Sequence, residues 1–213
     1  MSAQPPRGIL VSIEGGEGAG KSTVLDALRQ QLAQAGLEVV VTREPGGTVV
    51  GEAVRHLLLD PAGKLAAHTE LLLMFASRAQ LVRELVLPAR ERGAAVLSDR
   101  FTDASFAYQG GGRGIDSAAI AELERWAALI KPDLTFLLDV GVDVGLARAR
   151  SRGTLPDRIE SEQLEFFQRV RDVYLARARA EPERFRVIDA SQSPQAVLAA
   201  VRAALSGWLQ NRS

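Results

Sequence analysis

With 213 residues, 46% of them hydrophobic and 24% charged, the chain is long enough to close one sizeable core and reads as a single domain over 1–213. Acidic and basic residues balance at 26 each and cysteine is absent, which excludes the basic field of a nucleic-acid binder together with disulfides, thiolate metal sites and cysteine nucleophiles. No apolar run approaches the ~18 residues of a membrane span, and residues 1–8 lack the apolar core of a signal peptide and read as a loose tail, so a cytoplasmic chain with no membrane partner is expected.

Residues 9–13 form a short apolar, β-rich run, and the stretch from Gly15 to Ser22 fits the phosphate-loop pattern G-x-x-x-x-G-K-[ST] at every fixed position. Leu25, Leu28 and Leu32 then recur at helical spacing until Gly36. Strand, glycine loop and helix in that order make a cradle in which backbone N–H groups converge on an anion at a helix N-terminus. Gly15, Gly16, Glu17, Gly18, Ala19, Gly20, Lys21, Ser22 and Thr23 are therefore the expected ATP-binding segment. Lys21 is expected to reach the β- and γ-phosphates and Ser22 to hold Mg²⁺.

Residues 38–42 read as a second strand running into the loop from Arg43 to Thr48. A helical stretch over 51–59 carries Arg55. A longer one over 69–92 carries Met74, Phe75 and Arg78, and Pro88 should kink it or end it early. Residues 94–99 form a third strand that ends on Asp99, followed by Arg100, Phe101, Ser105, Tyr108, Gln109 and a flexible glycine run, 110–114. Asp116 or Ser117 caps a helix reaching 130. A fourth strand, 134–138, ends at Asp139. An arginine-dense helix over 143–152 closes at Gly153, an amphipathic helix follows to about 180, a fifth strand spans 185–189, and Ser193 and Pro194 open the closing helix.

Five short apolar strands alternating with helices predict a parallel α/β sheet covered on both faces. In such sheets ligands bind at the strands' C-terminal ends, where the phosphate loop, Arg43, Glu44, Asp99, Arg100, Asp139 and Asp189 gather. Asp99 follows its strand in the Walker-B manner and is expected on Mg²⁺, with Arg100 clamping an acceptor phosphate. Asp139 and Asp189 read as strand-end turn residues. The phosphate loop has no basic residue besides Lys21, whereas Arg148, Arg150, Arg152 and Arg158 flank a turn at Gly153. That cluster predicts a lid over about 148–160 that adds positive charge at the transferring phosphoryl group. Arg152 and then Arg158 are the expected catalytic members, and Arg148 and Arg150 face ATP's adenine or solvent.

Glu17 within the loop, the run Thr42–Thr48, Phe75-Ala76-Ser77-Arg78, Asp99-Arg100-Phe101 and Ala107-Tyr108-Gln109-Gly110 together resemble the bacterial thymidylate kinases, over nearly the whole chain. The resemblance implies a nucleoside-monophosphate-kinase fold that moves the γ-phosphoryl of ATP onto dTMP with Mg²⁺. It further implies a homodimer formed through helices beside the acceptor site. In that likeness Glu17 approaches the dTMP 3′-hydroxyl, Arg55 and Arg100 grip its phosphate, Arg78 reads thymine O4, Ser105 and Gln109 lie near N3, and Tyr108 crowds the 2′ position. Glu44 joins the acceptor set and Glu160 the Mg²⁺ ligands. Gly18 stands where some relatives carry an arginine, which resembles the subtype whose lid supplies it. The family's base-stacking phenylalanine position is Met74 here, and Phe75 lies about 100° further round the helix. A kinase for another nucleoside monophosphate or a deoxynucleoside, a regulatory ATPase and a non-catalytic nucleotide-binding module stay open at this point. A GTPase switch does not, because Asn211 is the only asparagine.

Overall fold

The computed structural model describes residues 8–151, 153 and 157–211. Its five strands are β1 (Ile9–Gly15), β2 (Val39–Arg43), β3 (Ala95–Asp99), β4 (Leu134–Asp139) and β5 (Phe185–Asp189). They pair in parallel in the order β2-β3-β1-β4-β5. The central β1 is buried along its whole length, which is why apolar residues occupy both of its faces rather than alternating with exposed polar ones. Successive residues still face opposite sides. Val11 and Ile13 pack with Leu28 and Leu32 of α1 (Lys21–Gln34) and with Val201 and Leu205 of α9 (Pro194–Gln210). Leu10 packs the other way, against Leu81, Val82 and Val86.

The remaining helices are α2 (Val49–Leu59), α3 (Ala67–Leu81), α4 (Leu87–Glu91), α5 (Thr102–Ser105), α6 (Ser117–Leu123), α7 (Val142–Arg150) and α8 (Leu164–Ala180). The long helix expected over 69–92 is α3 and α4 joined by a wider, π-helical segment, Val82–Val86. Pro88 has no N–H to donate, and the N–H of Leu87 just before it bonds Val82 O five residues back. α6 likewise runs into a π-helical turn, Glu124–Ala128, and stops when Leu129 turns left-handed at φ 64°. The Asp116 side chain caps it by accepting from Ala118 N.

Two other expectations are corrected. The glycine run after Gln109 is no flexible loop: Phe106–Gly112 forms a π-helical turn against α8, and a side chain on Gly112 would overlap the Phe166 ring. Gly8, expected in the loose tail, is buried and exchanges hydrogen bonds with Arg90 at 2.9 and 3.0 Å. The amphipathic helix begins only at Leu164, because the Asp157 carboxylate takes the N–H groups of Ile159 and Glu160 in a turn of its own.

Because β3 lies between β1 and β2, the chain leaves β1 in one direction along the sheet and returns in the other. The crevice at that reversal is where a parallel sheet binds its ligands. The register sets Ile13 of β1 and Arg43 of β2 both beside Asp99, so the phosphate loop, Arg43 and Asp99 emerge at one edge.

Candidate active site

The loop after β1 folds as a phosphate cradle. Gly18 adopts φ 67° under a close approach of α7, so that any side chain there would overlap Gly145 O. Lys21 opens α1 and donates to Gly15 O at 3.2 Å and Gly16 O at 3.0 Å, which aims the ammonium back along the loop. Burial, with the Arg100 charge nearby, holds its pKa below the usual lysine range.

Two clefts flank this loop. On one side, Gly18, Ala19, Gly20 and Thr23 share a cavity of about 200 Å³ with Arg148, Gln192, Pro194 and Leu198, and Arg148 is held by Ala190 O at 2.8 Å. On the other side Lys21, Arg43, Glu44, Arg55, Met74, Asp99, Arg100, Tyr108 and Gln109 enclose a cavity of about 160 Å³. That cavity carries incomplete hydrogen bonding. Glu44 Oε1, Asp99 Oδ1 and Gln109 Oε1 are buried with no partner among the described residues, in three residues that line it. Buried acceptors without donors are costly, so the walls call for a ligand that brings N–H, O–H or a cation.

The cations are held in place by the same walls. Arg100 sits at φ 70°, a conformation that costs a non-glycine residue energy and that turns its side chain into the crevice. Its guanidinium donates to Glu17 Oε1 at 2.8 Å, to Gly15 O at 3.0 Å and to the Tyr174 hydroxyl at 3.3 Å, and it lies 4.6 Å over the Tyr108 ring. Arg100 thus pairs with Glu17 and not with its neighbour Asp99. Tyr108 donates to the same Glu17 oxygen at 2.9 Å. Arg55 donates to Pro45 O at 3.0 Å, and burial and the Arg43 charge lower its pKa.

Ser22 and Asp99 line one pocket with Arg43 and Glu52. A hydroxyl beside a carboxylate whose Oδ1 is unsatisfied fits Mg²⁺, which takes one or two protein oxygens and completes its shell with water and phosphate. Among the described residues no three acidic or histidine side chains cluster as a metal cage. Glu160 lines a different cavity with Glu17, Leu146, Arg150 and Glu162, so the structure does not bring it to Asp99.

Other expected residues stand behind the wall. Arg78 is fully buried and bonded to Glu44 at 2.6–2.8 Å, to Ser105 Oγ at 3.0 Å and to Phe101 O at 3.2 Å. Burial raises the Glu44 carboxyl above its usual range, a rise that Arg78 opposes. Met74 lines the cavity beside Lys21, whereas Phe75 packs with Leu71, Phe106 and Ile120 in a separate apolar cluster. Arg158 reaches Glu70 at 2.7 Å and Leu58 O at 2.8 Å. Arg152 lies outside the described residues. Asp139 is tied to Arg171 at 2.7 and 2.9 Å, and Asp189 caps the turn at Ser191 and Gln192.

The residues that the sequence did not single out are Glu14, Glu70, Arg113, Asp157 and Tyr174. Glu70 had a signal, because 70, 74 and 78 fall on one face of α3 at i, i+4 spacing. Glu14 lies under the loop. It accepts from Phe101 N and the Tyr174 hydroxyl, both at 2.7 Å, and burial above all, with Asp103 nearby, pushes it up to about 8.

A parallel sheet with a phosphate cradle at β1, and a second cationic cavity across Lys21 from it, defines a P-loop nucleoside-monophosphate kinase. The thymidylate kinase family model matches residues 13–201. A thymidylate kinase of Pseudomonas putida (strain W619) is 53% identical over 204 residues, covering 95% of this chain and 98% of that one. One from Hahella chejuensis is 52% identical over 205 residues, covering 95% and 98%. The crystal structure of thymidylate kinase from Ehrlichia chaffeensis superposes with a TM-score of 0.75 at 32% identity, covering 96% of this chain and 99% of that one. The chain belongs to the thymidylate kinase family.

Proposed function

We propose that the two clefts are the two substrate sites of one phosphoryl transfer, ATP against the phosphate loop and Arg148, dTMP in the cavity between Arg55, Arg100 and Gln109. The chain phosphorylates dTMP to dTDP, the reaction of its family. The observation that carries the assignment of sides is the set of three unsatisfied acceptors, Glu44 Oε1, Asp99 Oδ1 and Gln109 Oε1, lining a cavity that also holds Lys21, Arg55 and Arg100. Phosphoryl transfer asks the protein for alignment and charge neutralisation rather than covalent chemistry. Arg55 and Arg100 hold the acceptor phosphate. Lys21 lies where donor and acceptor phosphates meet and offsets charge that grows in the transition state. Glu17 and Tyr108 face the sugar of the acceptor, and Met74 covers its base. Ser22 and Asp99 would hold Mg²⁺, whose charge would neutralise phosphate oxygens.

The lid arginines complete the donor side, with Arg152 first among them, and Arg158 steadies the lid segment from Glu70. The enzyme acts as a homodimer. In support, Leu72 of α3 and Trp126 in the turn after α6 are 58% and 72% exposed, apolar surface that a partner chain would cover. ADP release measured with and without dTMP tests the central reading, with dUMP, dCMP, dGMP and thymidine as rival acceptors. Release that ignores the acceptor would make the chain an ATPase, and a faster rival would move the cavity to another base.

A further inference from the structure

Glu70 does no chemistry in this scheme, yet it is buried beside the acceptor cavity and bonded through both oxygens. Oε1 accepts from Gln109 Nε2 at 2.8 Å and from Arg113 Nε at 3.3 Å, and Oε2 accepts from Arg158 at 2.7 Å and from the same Arg113 Nε at 3.2 Å. Burial alone would raise this carboxyl, but the bonds from Gln109, Arg158 and Arg113 outweigh it and hold the group below the usual range. An ionised carboxylate only accepts, so the Gln109 atom that meets it must be the amide nitrogen. The amide oxygen is left as a buried atom with no partner among the described residues, in a side chain that lines the cavity.

We propose that Glu70 is a positioning residue that sets base selection: by holding the Gln109 nitrogen it presents the amide oxygen to the acceptor base. The cavity then takes a pyrimidine whose ring nitrogen carries a hydrogen and rejects one whose ring nitrogen is a bare acceptor. The inference rests on the reading of this cavity as the dTMP site. A mismatched base would set two acceptors against each other, the kind of error a polar site rejects most strongly.

Glu70→Gln tests it, because the two arginines dictate how the new amide must lie. Arginine only donates, so the oxygen of the introduced amide takes the Oε2 place, where Arg158 at 2.7 Å and Arg113 at 3.2 Å both reach it, and its NH₂ turns toward Gln109, giving up the longer Arg113 bond at 3.3 Å. Gln109 must then turn its oxygen to that NH₂ and its nitrogen to the base. The substrates are dTMP and 5-methyl-dCMP, which matches dTMP in shape. Its different exocyclic group is common to both enzymes and cancels when their ratios are compared. The expected result is a fall of at least ~10-fold in kcat/KM for dTMP, carried by KM, a rise of at least ~10-fold in the 5-methyl-dCMP to dTMP ratio, and an ATP KM within ~3-fold of the unmutated enzyme. A general loss of structure would lower both substrates together, and an unchanged ratio overturns the proposal.

A cycle with Gln109→Leu adds a second check. If Glu70 acts through Gln109, the double variant loses no more dTMP affinity than Gln109→Leu alone, whereas multiplying losses overturn the idea. Should Glu70→Gln fail to fold, a crystal structure of the unmutated enzyme with dTMP decides. Nε2 kept on Glu70 with Oε1 on the thymine N–H supports the proposal, and a Gln109 that leaves Glu70 overturns it. An unmutated enzyme inert toward dTMP would sink the reading of the cavity. An active enzyme with an unmoved ratio sinks only the role of Glu70.

Discussion

Replacing Arg100 by alanine separates an acceptor-phosphate ligand from a purely structural ion pair. Of the five N–H donors of a guanidinium, the two on Nη1 are taken by Gly15 O and Tyr174 and one on Nη2 by Glu17. The Nε–H and the second Nη2–H have no bond among the described contacts, and they are what a phosphate would use. A hydrogen bond to a charged group is worth about 1.5–3 kcal/mol net, and two from one guanidinium do not add fully, so the expected loss is a ~10- to 100-fold weaker dTMP. ATP should bind within ~3-fold of the unmutated enzyme, because Arg100 lines the acceptor cavity and not the cavity around Thr23 and Arg148. Stability falls as well, since the bonds to Gly15 O and Glu17 vanish and the left-handed backbone at φ 70° stays. Equilibrium titration of each nucleotide, with a urea unfolding curve on the same preparation, keeps the two effects apart. Lower stability with unchanged dTMP affinity would make Arg100 a bolt between the loop and α8. A loss on the ATP side instead would mean that donor and acceptor cavities have been exchanged.

Lys21→Ala removes the cation between the two cavities and should lower kcat by roughly two to three orders of magnitude while leaving unfolding nearly unchanged; near-normal turnover would refute the loop's role. Met74→Ala should raise the KM for dTMP roughly 10-fold. Phe75→Leu, in the neighbouring core, should instead lower stability by ~1–3 kcal/mol with little change in that KM, and the opposite pattern would move the stacking role to Phe75. Glu14 holds its proton more tightly in the fold, at about 8, than at the ordinary 4.5, so stability declines as pH rises between those values. Urea midpoints across that window should fall in the unmutated enzyme and flatten in Glu14→Gln, and parallel curves would show that Glu14 does not carry the effect.

The strands were legible to within about two residues because a parallel sheet buried on both faces demands apolar runs, and turns demand glycine, proline and aspartate at their ends. The phosphate loop was legible because its chemistry is local, eight residues in one turn of chain. The network around Glu70 was not, because Gln109, Arg113 and Arg158 reach it from separate segments. Charge spacing says that 148–158 is basic but not where each guanidinium turns. The π-helical turns escaped because helical periodicity does not register one extra residue per turn. The glycines at 110–112 read as loop because a close approach by α8 and a flexible turn have the same composition.

Arginine is where a local reading runs furthest from the fold. Only Lys21, Lys64 and Lys131 are lysines among the 26 basic residues, so nearly every phosphate ligand and nearly every structural cation is the same residue type. What tells them apart is how many donors the fold leaves over. Arg184 spends all five, two on Asp103, two on Glu181 and one on Thr135. It cannot take a ligand without giving up a bond to Asp103, Glu181 or Thr135. Arg78 bonds Glu44, Ser105 and Phe101 O and keeps one Nη1 hydrogen without a partner among the described contacts. Arg100 keeps two, and Arg55 has one described bond, to Pro45 O. Among these four the donors left over rise from Arg184 through Arg78 and Arg100 to Arg55. That gradient follows from placing each carboxylate, and no charge pattern along the chain contains it.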